Sequence, residues 1–149
     1  MATSEVEIAN LLYRYAELID GGDLEGMAAL FEHAEIKFRT ETTDAAGLLK
    51  MFGNGVILYP NGTPRTKHVT TNPIIEVDEQ AGTATCRSYY TVIQQVEGSA
   101  LQPVAAGRYH DRFERVADVW RFSFRDYSYG DLFGDMSRHF RGLDRDIGA

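Results

Sequence analysis

The chain carries one cysteine, Cys86, among 149 residues, so no disulfide can close within it. A reducing compartment suits that composition. Positive charge is also scarce: 15 Lys and Arg stand against 22 Asp and Glu, giving a net charge of −7 and a pI near 5.0. Neither nucleic acid nor an anionic membrane attracts such a surface. Gly-x-Gly-x-x-Gly, Gly-Lys-Ser/Thr and Cys-x-x-Cys patterns are all missing, which leaves dinucleotide, nucleotide and structural-zinc binding without a motif. The four histidines (His33, His68, His110 and His139) are scattered, with none at the i, i+4 spacing of a helical metal pair. Catalytic zinc ordinarily takes three protein ligands, so no metal is expected. The first residues, Met1 to Glu5, include an early acid and no long apolar run. Neither a signal peptide nor a membrane span is expected, and the expected compartment is the cytoplasm.

What is present fits one ordinary domain spanning residues 1–149, with 44% hydrophobic and 25% charged residues. Ser4 and Glu7 form a capping-box signature, and an apolar stripe follows at Ile8, Leu11, Leu12, Tyr15, Leu18 and Ile19. Gly21-Gly22 ends that helix, and Asp23 caps a second, short one. Residues 35–40 alternate polar and apolar, which predicts a half-buried strand. Thr43 or Asp44 caps a third helix, and residues 59–64 read as a loop. Four long strand runs follow, over 65–77, 83–96, 104–116 and 119–129, the last two joined by a tight turn at Ala117-Asp118. Helices first and strands later is the α+β pattern: N-terminal helices packed on a strongly curved antiparallel sheet, with a pocket between the layers. Residues 130–149 form a charged tail, with Asp144, Arg145 and Asp146 near its end. It is expected as a short helix that closes the pocket or docks on a neighbouring subunit.

Several residues are placed to carry chemistry. Asp20 ends the first helix, where the negative end of the macrodipole and the neighbouring Leu18-Ile19 should push its pKa upward. An exposed acid beside a turn is the plainer account of it. Strand alternation puts Thr66, His68, Thr70 and Asn72 on one polar, uncharged face suited to lining a pocket, and a neutral His68 there suits proton transfer. A strand histidine satisfied by a carbonyl is the alternative. In Gly107 to Phe113, Tyr109, Asp111 and Phe113 share one face and Arg108, His110 and Arg112 the other. Periodicity does not say which faces inward, and cross-strand ion pairing is the plainer account of the mixture. Tyr59, Tyr89 and Tyr127 are packing candidates that could also offer phenolic donors to a ligand. Cys86 reads as a small buried hydrophobe.

Three stretches carry a resemblance: Tyr13 to Asp23, including Tyr15-Ala16 and Asp20; Leu30-Phe31; and Lys67-His68. Gly107-Arg108-Tyr109 and Val119-Trp120-Arg121-Phe122 agree with them. The chain resembles the nuclear transport factor 2-like superfamily, in its SnoaL-like and scytalone dehydratase-like branch. That likeness implies a cone-shaped α+β fold. It also implies a lyase needing no metal or organic cofactor and acting on a small hydrophobic or aromatic substrate, in a homodimer or homotrimer. In dehydratases and dehydrochlorinases of the branch an Asp at the end of the first helix orients a strand His that removes a proton; those positions match Asp20 and His68. Bile-acid dehydratases add a tyrosine that matches Tyr15. Tyr59, Tyr89, Tyr109, His110 and Tyr127 are the expected substrate contacts. Two tyrosines that hold a water in scytalone dehydratase are replaced here by Ile19 and Phe38, and its second pocket histidine has no clean counterpart. An isomerase or cyclase, with Asp111, Tyr109 or Tyr127 over the ligand, and a non-catalytic binding module are the alternatives.

Overall fold

The computed structural model describes residues 1–142. Helix α1 spans Ser4–Asp20, and its N-cap is Thr3, whose side chain accepts from the Val6 N–H. Ser4, expected in that place, instead accepts a hydrogen bond from the Trp120 indole at 3.1 Å, so the start of α1 is tied to the sheet. Gly21 ends the helix and Gly22 takes a positive φ of 80°. A Cβ on Gly22 would overlap the Gly62 carbonyl, so this turn lies directly against the loop before the long strands. Asp23 caps α2 (Leu24–Ala29), and Asp44 caps α3 (Ala45–Gly55).

Among the described residues seven strands form the sheet: β1 (Glu35–Lys37), β2 (Thr42–Thr43), β3 (Thr66–Asp78), β4 (Thr83–Gln94), β5 (Gln102–Val116), β6 (Val119–Asp126) and β7 (Gly130–Phe133). Their order is β2-β1-β6-β5-β4-β3, with β7 also on β5 and β1 parallel to β6. The expected α+β architecture is therefore present, with the helices on one face of a curved, open sheet. Ala117 and Asp118 both have positive φ, the geometry of the two-residue turn between β5 and β6. The tail departs from expectation. Its first residues make β7 rather than a helix, because Ala105 to Gly107 offer an open ladder to pair with. The remainder to residue 142 is a strap of turns that places Met136 and His139 in the interior. Asp144, Arg145 and Asp146 lie outside the described residues. Among those described, no helix is long and apolar enough to cross a membrane.

The core lies between α1, α2 and the inner face of β4–β6, around Ile8, Leu12, Phe31, Ile36, Phe113 and Phe122. Two irregularities decide which side chains join it. In β3 the ladder shifts between Thr71 and Ile74, with Asn72 at φ 53°. Thr66, His68 and Thr70 precede the bulge on the inner face, Ile75 and Val77 resume that face beyond it, and Asn72 leaves the alternation. In β6, Phe122 pairs with Phe113 but Phe124 pairs with Arg112, so Ser123 is an extra residue. Phe124 then turns outward beneath the Arg112 guanidinium, 4.1 Å away, and Arg125 turns inward. Such bulges re-aim side chains.

Gly107 lets β7 reach β5: a Cβ there would come within 2.8 Å of Gly130 Cα, the Tyr129 carbonyl and the Tyr90 hydroxyl. Gly107→Ala is expected to cost about 1–3 kcal/mol through overpacking, measured by urea unfolding. Amide exchange should quicken in 130–142 more than in β4.

Candidate functional site

Asp20 sits where the end of α1 meets β3. Its Oδ1 accepts from the Thr66 hydroxyl at 2.8 Å and faces His68 Nδ1 at 2.6 Å, while Oδ2 accepts from the His68 backbone N–H at 2.7 Å. Both side chains are nearly enclosed, at 10% and 6% exposure. Burial works against charge on Asp20, but hydrogen bonds and positive charge from His68, with Thr66, outweigh it and hold the carboxyl below its usual range. The upward shift expected from the helix end is corrected: the donors of β3 override the macrodipole. With Nδ1 engaged by the carboxylate, Nε2 is the ring nitrogen left for other chemistry.

Around this pair the interior is aromatic. Tyr15 is 2% exposed, stands 6.3 Å from the His68 ring between centroids, and accepts a hydrogen bond from the Tyr127 hydroxyl at 2.9 Å. Burial pushes the phenols of Tyr15, Tyr109 and Tyr127 well above their ordinary value, so they remain hydrogen-bond donors. Arg125, wholly buried, pairs with Asp111 through Nε at 2.8 Å and Nη2 at 2.9 Å. Its guanidinium lies 3.8 Å from the Tyr109 ring centre and 4.4 Å from that of Tyr15. Burial opposes its charge, yet Asp111 holds its pKa well above the ordinary value. Its Nη1 has no hydrogen-bond partner among the described residues.

Of the eight residues singled out in the sequence, five share this interior or its wall: Tyr15, Asp20, His68, Tyr109 and Tyr127. Three do not. His110 faces outward, stacked on Tyr129 at 4.2 Å, in a surface cleft of about 340 Å³. Tyr89 is 52% exposed on the same outer face. Tyr59 hands its hydroxyl to the Arg138 carbonyl, fastening the strap instead of meeting a ligand. Alternation separates the two faces of a strand without saying which is inner, and the inner one is Tyr109, Asp111 and Phe113. Four surface clefts of about 230 to 460 Å³ lie away from Asp20 and His68; His110 lines one of them and Tyr59 another.

Two interior residues carry no signal in the sequence that marks them as part of this site. Arg125 is hidden by the Ser123 bulge, since strict alternation from Phe122 would turn Phe124 inward. His139 belongs to the irregular strap, where no periodicity applies. It is 5% exposed, its ring centre is 6.0 Å from that of His68, and its Nδ1 has no partner among the described residues. Among those residues, no group of three or more His, Cys, Asp or Glu side chains is arranged to hold a metal ion. Cys86 is buried and burial pushes its thiol up to about 12, so it stays protonated.

Residues 1–126 match the SnoaL-like domain family. The chain belongs to that family. Solved structures share the fold. Rv3472, a protein of unknown function from Mycobacterium tuberculosis, is 26% identical with a TM-score of 0.69, over 86% of this chain and 72% of that one. ActVI-ORFA from Streptomyces coelicolor is 18% identical with a TM-score of 0.70, over 87% and 100%. A proposed scytalone dehydratase from Novosphingobium aromaticivorans is 21% identical with a TM-score of 0.62, over 82% and 80%. No curated protein matches the chain. The expected membership of the SnoaL-like branch is thereby established, and the neighbours include cystatin-like folds.

His139 gives this SnoaL-like domain a pH signature. Burial, with His68 adding to it, lowers its pKa from 6.5 to about 4. The unfolded chain therefore takes up this proton below about pH 6.5, the folded one only below about 4. Its contribution is complete above 6.5 and is lost as pH falls toward 4, by up to about 1.4 kcal/mol per unit. Urea midpoints should fall across that interval, and His139→Gln should flatten the decline. An equal slope in the variant would show that His139 is not held neutral.

Proposed function

We propose that this SnoaL-like domain is a cofactor-independent lyase of the dehydratase type, acting on a small hydrophobic β-hydroxy carbonyl compound. The observation that carries the reading is the Asp20–His68 contact at 2.6 Å, reinforced by the 2.7 Å bond from the His68 backbone. A carboxylate on Nδ1 fixes the tautomer whose Nε2 is basic and stabilises the imidazolium that forms. His68 Nε2 takes the proton from the carbon beside the carbonyl. The electron pair moves into an enolate, whose oxygen finds donors in the Tyr15 phenol and the unpartnered Arg125 Nη1. The C–O bond then breaks, the leaving hydroxyl collects the proton from His68, and water and an enone result. Tyr109 and Tyr127 supply the apolar wall, and the acid–base step itself uses no metal or cofactor.

A second reading, a ligand-binding module without chemistry, is favoured by exposed Val69, Ile74 and Tyr89 on the outer face. One assay separates them. A panel of β-hydroxy aryl ketones, beginning with β-hydroxybutyrophenone, is offered to the wild type, His68→Ala and Asp20→Asn, and the conjugated enone is followed by absorbance. Losing the base is expected to lower kcat/KM by roughly 10²–10⁴-fold, with a smaller loss for Asp20→Asn. Equal turnover by wild type and His68→Ala removes His68 as the base. Binding without turnover across the panel establishes the second reading.

A further inference from the structure

His139 is a buried, hydrogen-bonding group that the elimination above leaves unused. The strap of 134–142 brings it in, and the backbone on either side is pinned. Arg138 O accepts from Gln94 Nε2 at 3.0 Å and from the Tyr59 hydroxyl, His139 O accepts from the Ile57 N–H at 2.9 Å, and Arg141 N donates to Gly55 O at 2.8 Å. Met136 lies buried one turn before it, and the Phe140 ring packs on Phe52 at 5.8 Å. A side chain carried on a backbone held this firmly, 6.0 Å from His68 and with an Nδ1 that has no partner among the described residues, needs one, because buried polar groups are almost always hydrogen-bonded.

The chemistry of that partner follows from the ring. A neutral imidazole has one donor and one acceptor nitrogen, and which is which depends on the tautomer. A carbonyl or carboxylate oxygen satisfies Nδ1 only when it carries the proton. A hydroxyl satisfies it in either state. We infer that His139 is a ligand-positioning residue whose free Nδ1 hydrogen-bonds a hydroxyl group of a ligand seated against His68. The inference rests on the reading of His68 as the ligand-facing base, and it adds the specificity for a hydroxylated ligand. If Nδ1 accepts the hydroxyl proton, a lone pair of the leaving oxygen is free to face the imidazolium of His68.

The test separates binding from reaction by using a probe that cannot eliminate: α,α-dimethyl-β-hydroxybutyrophenone, which has no proton beside the carbonyl, together with its deoxy analogue. Affinities come from calorimetry, and the His68 imidazole resonances report whether the probe sits at the dyad. The wild type should prefer the hydroxylated probe by about tenfold, the worth of one good hydrogen bond. His139→Phe should erase the preference while still binding the deoxy probe, and His139→Gln should keep part of it. His139→Leu serves as the apolar variant if Phe does not fold. A preference undiminished in the apolar variants overturns the role of His139, and the dehydratase reading stands if β-hydroxybutyrophenone is still dehydrated. Probes that leave the His68 resonances unmoved overturn the inference together with the ligand site on which it rests.

Discussion

Asp20 receives three hydrogen bonds from β3, and through them the helical layer is held to the sheet at the point where the candidate chemistry lies. A carboxylate at a helix C-terminus is disfavoured by roughly 0.3–1 kcal/mol, and it is partly desolvated here as well. The arrangement persists because the hydroxyl of Thr66, the backbone of His68 and the ring of His68 all converge on it. Fixing the layers and fixing the orientation of the imidazole are consequently one act. The Gly21-Gly22 turn makes that geometry attainable by ending α1 beside the loop that leads into β3.

Behind the dyad stands a charged pair in an aromatic enclosure. Arg125 and Asp111 are both buried, and the guanidinium faces rings from α1, β5 and the residues following β6. Such a pair is weak evidence for stability, since well-packed apolar residues of equal volume often serve as well or better. What an apolar filling would not provide is a fixed positive charge with one nitrogen unspent, among phenols that stay protonated.

Much of the frame is legible in the sequence because its signals are local. Asp23 and Asp44 cap helices, the Ala117-Asp118 turn joins β5 to β6, and the long strands announce themselves by their residue types. Asp20 and His68 are a different case. They lie 48 residues apart, and no spacing rule joins them; the family resemblance selects them, and the tertiary structure brings them into contact. His110 and Tyr89 are misplaced for a simple reason, since a period of two separates the faces of a strand without naming them. Arg125 and His139 were invisible for stronger reasons. One follows an inserted residue, and the other rides on a segment with no regular geometry.

The bulge at Ser123 turns that last point into a statement about parity. Beyond it, every side chain of β6 has exchanged sides relative to strict alternation, so the content of the interior depends on a count of residues as well as on their identities. Pairing Ser123 with Arg112 in an unbroken ladder would put Phe124 opposite Asp111, the position Arg125 now fills, and turn the guanidinium out to solvent. No substitution or deletion would be involved, since only the pairing would differ. In this fold an interior cation can thus be gained or lost through a shift of strand register that residue-by-residue comparison does not record.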